Sequence, residues 1–204
     1  MKKLTRSLGL IAILALILSS QAKADFILDT GTPNQAGSAL DLSNSQWLAA
    51  EFTTTQSTQI NSIQGFMNGV DVNQVGNSFT VALYGNAANN RPDLATGELF
   101  AQQATFTADG WNGLQGLNFA LDAGTYWAAF EVRSTDTLEG LMSVFAPNAV
   151  QTAYNDNTAN FGYVPTTGTN YNFGVQISSV PVPSALWLFA TGLIAIGRRR
   201  LVKG

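Results

Sequence analysis

Four glutamates, Glu51, Glu98, Glu131 and Glu139, are the side chains best suited by type to covalent chemistry in this sequence. Two carboxylates facing one cleft can hydrolyse a glycosidic bond, one as acid and the other as base or nucleophile. None of the four sits in a motif that ties it to a partner, and solvated surface acids are the plain alternative. Two tryptophans suit a second chemistry, stacking on sugar faces. Trp111 lies between Asp109-Gly110 and Asn112-Gly113, where a turn is expected. Trp127 lies on the opposite strand face from Phe130 and Val132, alongside Glu131 and Arg133. Core packing is the alternative for either ring. Asp71-Val72-Asn73-Gln74-Val75-Gly76 opens like a calcium loop, but position five is Val75 and position twelve is Ala82, so no EF-hand forms. Calcium held by loop carboxylates and carbonyls is the metal chemistry left open, and no other cofactor is expected.

Several chemistries are closed. The sequence has no histidine and no cysteine. Zinc, copper and haem sites built on those ligands are excluded, and so are Ser-His-Asp and Cys-His catalysis. Disulfides are excluded too, so an ordinary apolar core must hold the fold. The charges are unevenly spread. Lys2, Lys3, Arg6 and Lys23 lie before Asp25, and Arg198, Arg199, Arg200 and Lys203 lie after Gly197. Between them thirteen acids face only Arg91 and Arg133, which leaves a net charge of −11. A body this acidic is not drawn to nucleic acid or to anionic lipid headgroups.

The elements that must carry these side chains read as β throughout. Phe79, Val81 and Leu83 alternate with other residues, as do Leu117, Phe119 and Leu121, then Tyr126, Ala128, Phe130 and Val132, and finally Tyr171, Phe173, Val175 and Ile177. Period-two patterns mark half-buried strands. Further strands are expected over 47–54, 60–67, 99–106 and 141–145. Turns are expected at Asn68-Gly69, Gly85-Asn86, Asp109-Gly110, Asn112-Gly113 and Ala123-Gly124. Residues 148–170 are rich in Asn, Thr and Gly and read as a long loop or an irregular strand pair. The pattern predicts an all-β domain over 25–179, a β-sandwich or jelly roll.

Both ends differ from this body. Met1 to Arg6 is basic, Leu8 to Leu18 is an uncharged apolar run, and Ala22 and Ala24 flank Lys23. A basic start, a short apolar run and a small-x-small site make a secretory signal peptide over 1–24, with the mature chain beginning at Asp25. At the other end Val180-Pro181-Val182-Pro183-Ser184 precedes an uncharged stretch over 184–197, and a basic cluster fills 198–203. Fourteen residues of helix cover ~21 Å, short of the ~30 Å hydrocarbon core, so this is a marginal transmembrane helix. Arg198, Arg199 and Arg200 should stop transfer and stay cytoplasmic, which puts the body outside the inner membrane.

This three-part tail resembles the PEP-CTERM sorting signal, with Val182 where the usual motif carries Glu. The resemblance implies recognition by an exosortase-type membrane protease. It implies transient anchoring in the inner membrane with the body periplasmic. It also implies removal of the tail and delivery to the cell surface or an exopolysaccharide matrix. LDAGTYWAAF is similar to a strand-turn-strand element of such ectodomains. The body is then expected to be a noncatalytic surface or matrix module that associates with exopolysaccharide, with Trp111 or Trp127 as stacking platform. The alternative is a secreted polysaccharide-active hydrolase using a pair of the glutamates above.

Overall fold

Alternating apolar residues fold into strands close to where the pattern puts them. The computed structural model describes residues 25–34, 38–156, 162–166 and 171–179. The expected cleavage pair Ala22 and Ala24, the motif Val180 to Ser184, the membrane segment 184–197 and the arginines 198–200 lie outside the described residues. Among the described residues no helix is long and apolar enough to cross a membrane.

The described strands are β1 (Asp25–Asp29), β2 (Ala39–Leu42), β3 (Trp47–Thr54), β4 (Thr58–Gly69), β5 (Ser78–Gly85), β6 (Glu98–Thr105), β7 (Gly110–Leu121), β8 (Gly124–Glu131), β9 (Gly140–Ser143), β10 (Thr152–Asn155), β11 (Val164–Pro165) and β12 (Val175–Ser179). A 3-10 turn covers Val72–Gln74. The strands form two six-stranded sheets. In the first, β1, β12, β4, β9 and β2 lie in that order, and β7 pairs the far side of β4. β12 and β9 follow one another along a single edge of β4, the first against Ile60 to Gly65 and the second against Met67 to Gly69. The second sheet runs β11, β10, β3, β8, β5, β6. The pairings within both sheets are antiparallel.

One buried cluster draws on both sheets. β4 and β12 supply Ile60, Ile63, Met67, Val175 and Ile177, and β3, β5 and β8 supply Leu48, Phe52, Phe79, Val81, Leu83 and Phe130. Each such side chain contributes about 1.5–3 kcal/mol by leaving water. Residues Asp25–Ser179 form a compact unit.

Two expectations need correction. β5 and β8 are not half-buried, because their outer faces are covered as well: Ala82, Tyr84, Trp127 and Ala129 are buried with Ala49, Ala153 and Tyr163. Asn112-Gly113 is no turn. It lies inside β7, where Asn112 Nδ2 donates to the Ala108 and Gly110 carbonyls and its Oδ1 accepts from Thr107 N–H. Gly113 has φ +152° there, and a Cβ would stand 2.2 Å from the Ile63 carbonyl oxygen, so the pair marks a close backbone approach. The turn expected at Ala123-Gly124 is present, and it carries the chain from β7 in the first sheet to β8 in the second. Residues 148–170 do contain an irregular pair, β10 against β11.

Candidate functional site

Side chains on β8 alternate between two buried layers. Tyr126, Ala128 and Phe130 point to the shared core, while Trp127, Ala129 and Glu131 point to the outer face of the second sheet. On that face Ala129 is flanked by Ala49 and Ala82. Three small residues in a row leave a shallow bed, and the Tyr84 side chain crosses it from the Trp127 rung to reach Glu131. Tyr84 and Tyr163 sit with ring centroids 6.0 Å apart. The Trp127 indole N–H donates to Asn86 Oδ1 at 2.8 Å. Trp127 is 0% exposed. No sugar can stack on it, which overturns its expected role as a platform. The strand face was read correctly; the cover, including Tyr163 from the segment before β11, was not.

The same face holds a buried carboxylate. Glu131 is 0% exposed. Its Oε1 accepts from the Tyr163 hydroxyl at 2.6 Å and the Tyr84 hydroxyl at 2.9 Å. Its Oε2 accepts from Arg133 Nε at 2.7 Å, and Arg133 Nη2 reaches Glu98 Oε2 at 2.5 Å. A buried carboxylate needs this many donors, because an unpaired charge away from water is costly. Burial first, and then the Glu131 charge, hold the Tyr84 and Tyr163 phenols well above their ordinary range. Burial pulls the Arg133 guanidinium down, but the Glu98 hydrogen bond and the Glu131 charge outweigh it and leave it raised. Both tyrosines therefore stay neutral donors and Arg133 stays charged. The hub locks structure. Glu131 has no face open to a substrate.

The other three glutamates do not join Glu131 in a cleft. Glu98 is bridged to it only through Arg133 and stands at the surface. Glu51 is half-buried opposite Trp127 in the β3–β8 register, with Oε2 enclosed and without a hydrogen-bond partner among the described residues. Glu139 is exposed, on a groove of about 560 Å³ that Asp41 and Asp136 also line. Asp136 is already engaged there, accepting from Thr80 Oγ1, Gln103 Nε2 and Arg133 N–H. Among the described residues no group of three or more acids could hold a metal ion. Asp71, at the head of the calcium-like stretch, caps the 3-10 turn by accepting from Asn73 N–H at 2.8 Å.

Trp111 is placed differently. It is the second residue of β7 rather than a turn residue, and it is half-buried. Its ring meets Phe66 edge-on, centroids 5.4 Å apart at 87°. The register extends this outer face of the first sheet. Gln64 lies between Gly113 and Gln176, and Ser62 lies between Gln115 and Ser178. Phe26 follows beside Ser178 and is 52% exposed. The strip bears amides, with an aromatic ring at two of its corners; Asp29 stands beside Gln176 and its Oδ1 accepts from Gln176 Nε2 at 3.2 Å, while Ser62 and Ser178 are buried and hydrogen-bonded to each other.

The residues that set the destination are elsewhere. Residues 179–200 match the PEP-CTERM protein-sorting motif. The tail is a PEP-CTERM sorting motif. The match begins at Ser179, the last residue of β12, and takes in Val180 to Ser184, the apolar stretch and all three arginines. No curated protein matches the chain. A PEP-CTERM motif marks an exported protein with a C-terminal sorting signal. The hub at Glu131 was missed in the sequence. Its signal was Arg133, one of two cations in the body, two residues from a glutamate on one strand face.

Proposed function

We propose that this chain is an exported, noncatalytic surface or matrix protein whose tail is processed by an exosortase-type membrane protease. The PEP-CTERM motif at 179–200 carries that reading. The signal peptide over 1–24 takes the body through the inner membrane, the 184–197 segment holds it there for a time, and cleavage releases it to the cell surface or beyond. We take the two sheets around their common cluster as a sandwich of the jelly-roll kind. The composition favours life outside the cell, since the body has no thiol to oxidise and stays soluble through neutral amides, hydroxyls and a charge of −11.

Association with a neutral exopolysaccharide is the role we assign to the body, through the strip between Trp111 and Phe26. Aromatic rings present apolar area to sugar C–H faces, and Gln side chains, with the Asp29 carboxylate beside them, exchange hydrogen bonds with sugar hydroxyls. The test is a glycan array probed with the exported protein. Binding to uncharged polysaccharide, lost in Trp111→Ala while the melting temperature hardly moves, is the expected result. Silence across the array would remove the polysaccharide role and leave export and sorting standing.

A further inference from the structure

Asp25 and Ser179 form the outermost rung of the β1–β12 ladder. The Ser179 hydroxyl donates to the Asp25 carbonyl at 3.2 Å. One of these residues follows the expected signal junction, and the other opens the sorting motif. The two processing junctions thus border a single rung of one sheet.

β12 is no loose appendage. It lies between β1 and β4. Val175 and Ile177 are fully buried. Thr30, directly after β1 and also buried, accepts from Val175 N–H at 2.7 Å through Oγ1, and that hydroxyl lies 3.2 Å from the Phe173 carbonyl. The Ser62 and Ser178 hydroxyls meet at 2.6 Å. β1, by contrast, is an edge strand whose ladder partner among the described residues is β12. It has no ladder to join until β12 arrives, and β12 is the last strand of the body to leave the translocation channel.

A peptidase takes its substrate as an extended strand that reaches past the cut bond, so laddered residues must first detach. We propose that docking of β12 on β1 is a processing gate. Signal-peptide removal at the Ala24–Asp25 bond is completed before β12 docks, and the sorting cut falls on the C-terminal side of Ser179. The inference rests on the Ala24–Asp25 junction read from the sequence. In the hydrolysis, water supplies hydroxyl to the Ala24 carbonyl carbon and a proton to the Asp25 nitrogen as the amide bond breaks. Once the rung is closed, the N-terminal bond abuts a paired residue, and cleavage waits on β1 peeling away from β12, which exposes the half-buried Ile27 and Leu28. That holds the rate about tenfold or more below the rate in the undocked chain.

The full-length precursor would be synthesised cell-free, with detergent-solubilised signal peptidase added either during synthesis or after folding. Intact mass reports the cut. The expected result is a product starting at Asp25 on early addition and a precursor about tenfold slower to cut on late addition. A Val175→Asp chain, unable to bury its last strand, should stay cleavable late, and Ile177→Ala should fall between. Equal early and late rates would overturn the gate. Late resistance of Val175→Asp equal to that of the unsubstituted chain would overturn the role of β12. No cut at Ala24–Asp25 at either time would overturn the junction and the gate with it. For the other end, a sorted product whose C-terminus falls before Ser179 would overturn the limit at Ser179.

Discussion

Glu131 is the residue on which the outer face of the second sheet depends. It gathers Tyr84, Tyr163 and Arg133 around one carboxylate. Glu131→Ala should cost about 3–5 kcal/mol in urea unfolding, because it strands a partly buried guanidinium and two buried hydroxyls. Glu131→Gln, which keeps an acceptor for one hydroxyl, should cost less. The hub also fixes a pH dependence. Tyr84 and Tyr163 have raised pKa values in the fold. Their contribution is whole below the ordinary phenol value of about 10 and falls as pH rises toward the folded values, because the unfolded chain gives up those protons first. Unfolding free energy should drop by up to about 1.4 kcal/mol per pH unit for each phenol above pH ~10. Tyr84→Phe should lower stability at neutral pH and make that alkaline slope shallower. A slope unchanged by the substitution would contradict the assignment. The residue types were legible in the sequence, and so was the face that Glu131 shares with Trp127. Their burial was not, because the covering ring comes from Tyr163, a residue inside an Asn-, Thr- and Gly-rich stretch with no strand pattern of its own.

At the scale of elements, period-two alternation located the long strands. β3 has the bounds expected, and β4, β5 and β6 differ by a residue or two at either end. β1 and β2 were not visible, since DFILD and ALDL are too short to show a period. Sheet order was not visible either: what places β12 between β1 and β4 is pairing between residues far apart in the chain, including the Thr30–Val175 contact across 145 residues, and no local pattern encodes it. Gly113 shows how a turn signal misleads. Asn-Gly usually marks a turn, but here Gly is required because β7 passes close to the β4 backbone. Gly113→Ala should destabilise the fold by about 1–3 kcal/mol, as overpacking does, with the backbone at Ile63 unable to move aside. A melting temperature unchanged by that substitution would mean that β4 and β7 tolerate more separation than the register allows.

Across the whole molecule, charge and fold divide the labour. All thirteen acids lie in the body, while eight of the ten basic residues lie at the two ends. Replacing Arg198, Arg199 and Arg200 with Gln should abolish membrane retention and sorting without altering the melting of the body, because none of them belongs to the Asp25–Ser179 unit. The most direct measurement is the intact mass and cell fraction of the full chain, produced in a host with and without an exosortase-type protease. Without the protease, the expected species is membrane-bound, begins at Asp25 and ends at Gly204. With it, the species leaves the membrane with the tail removed and β12 retained. A full-length, untrimmed polypeptide found in the cytosol of both hosts would contradict export and sorting together.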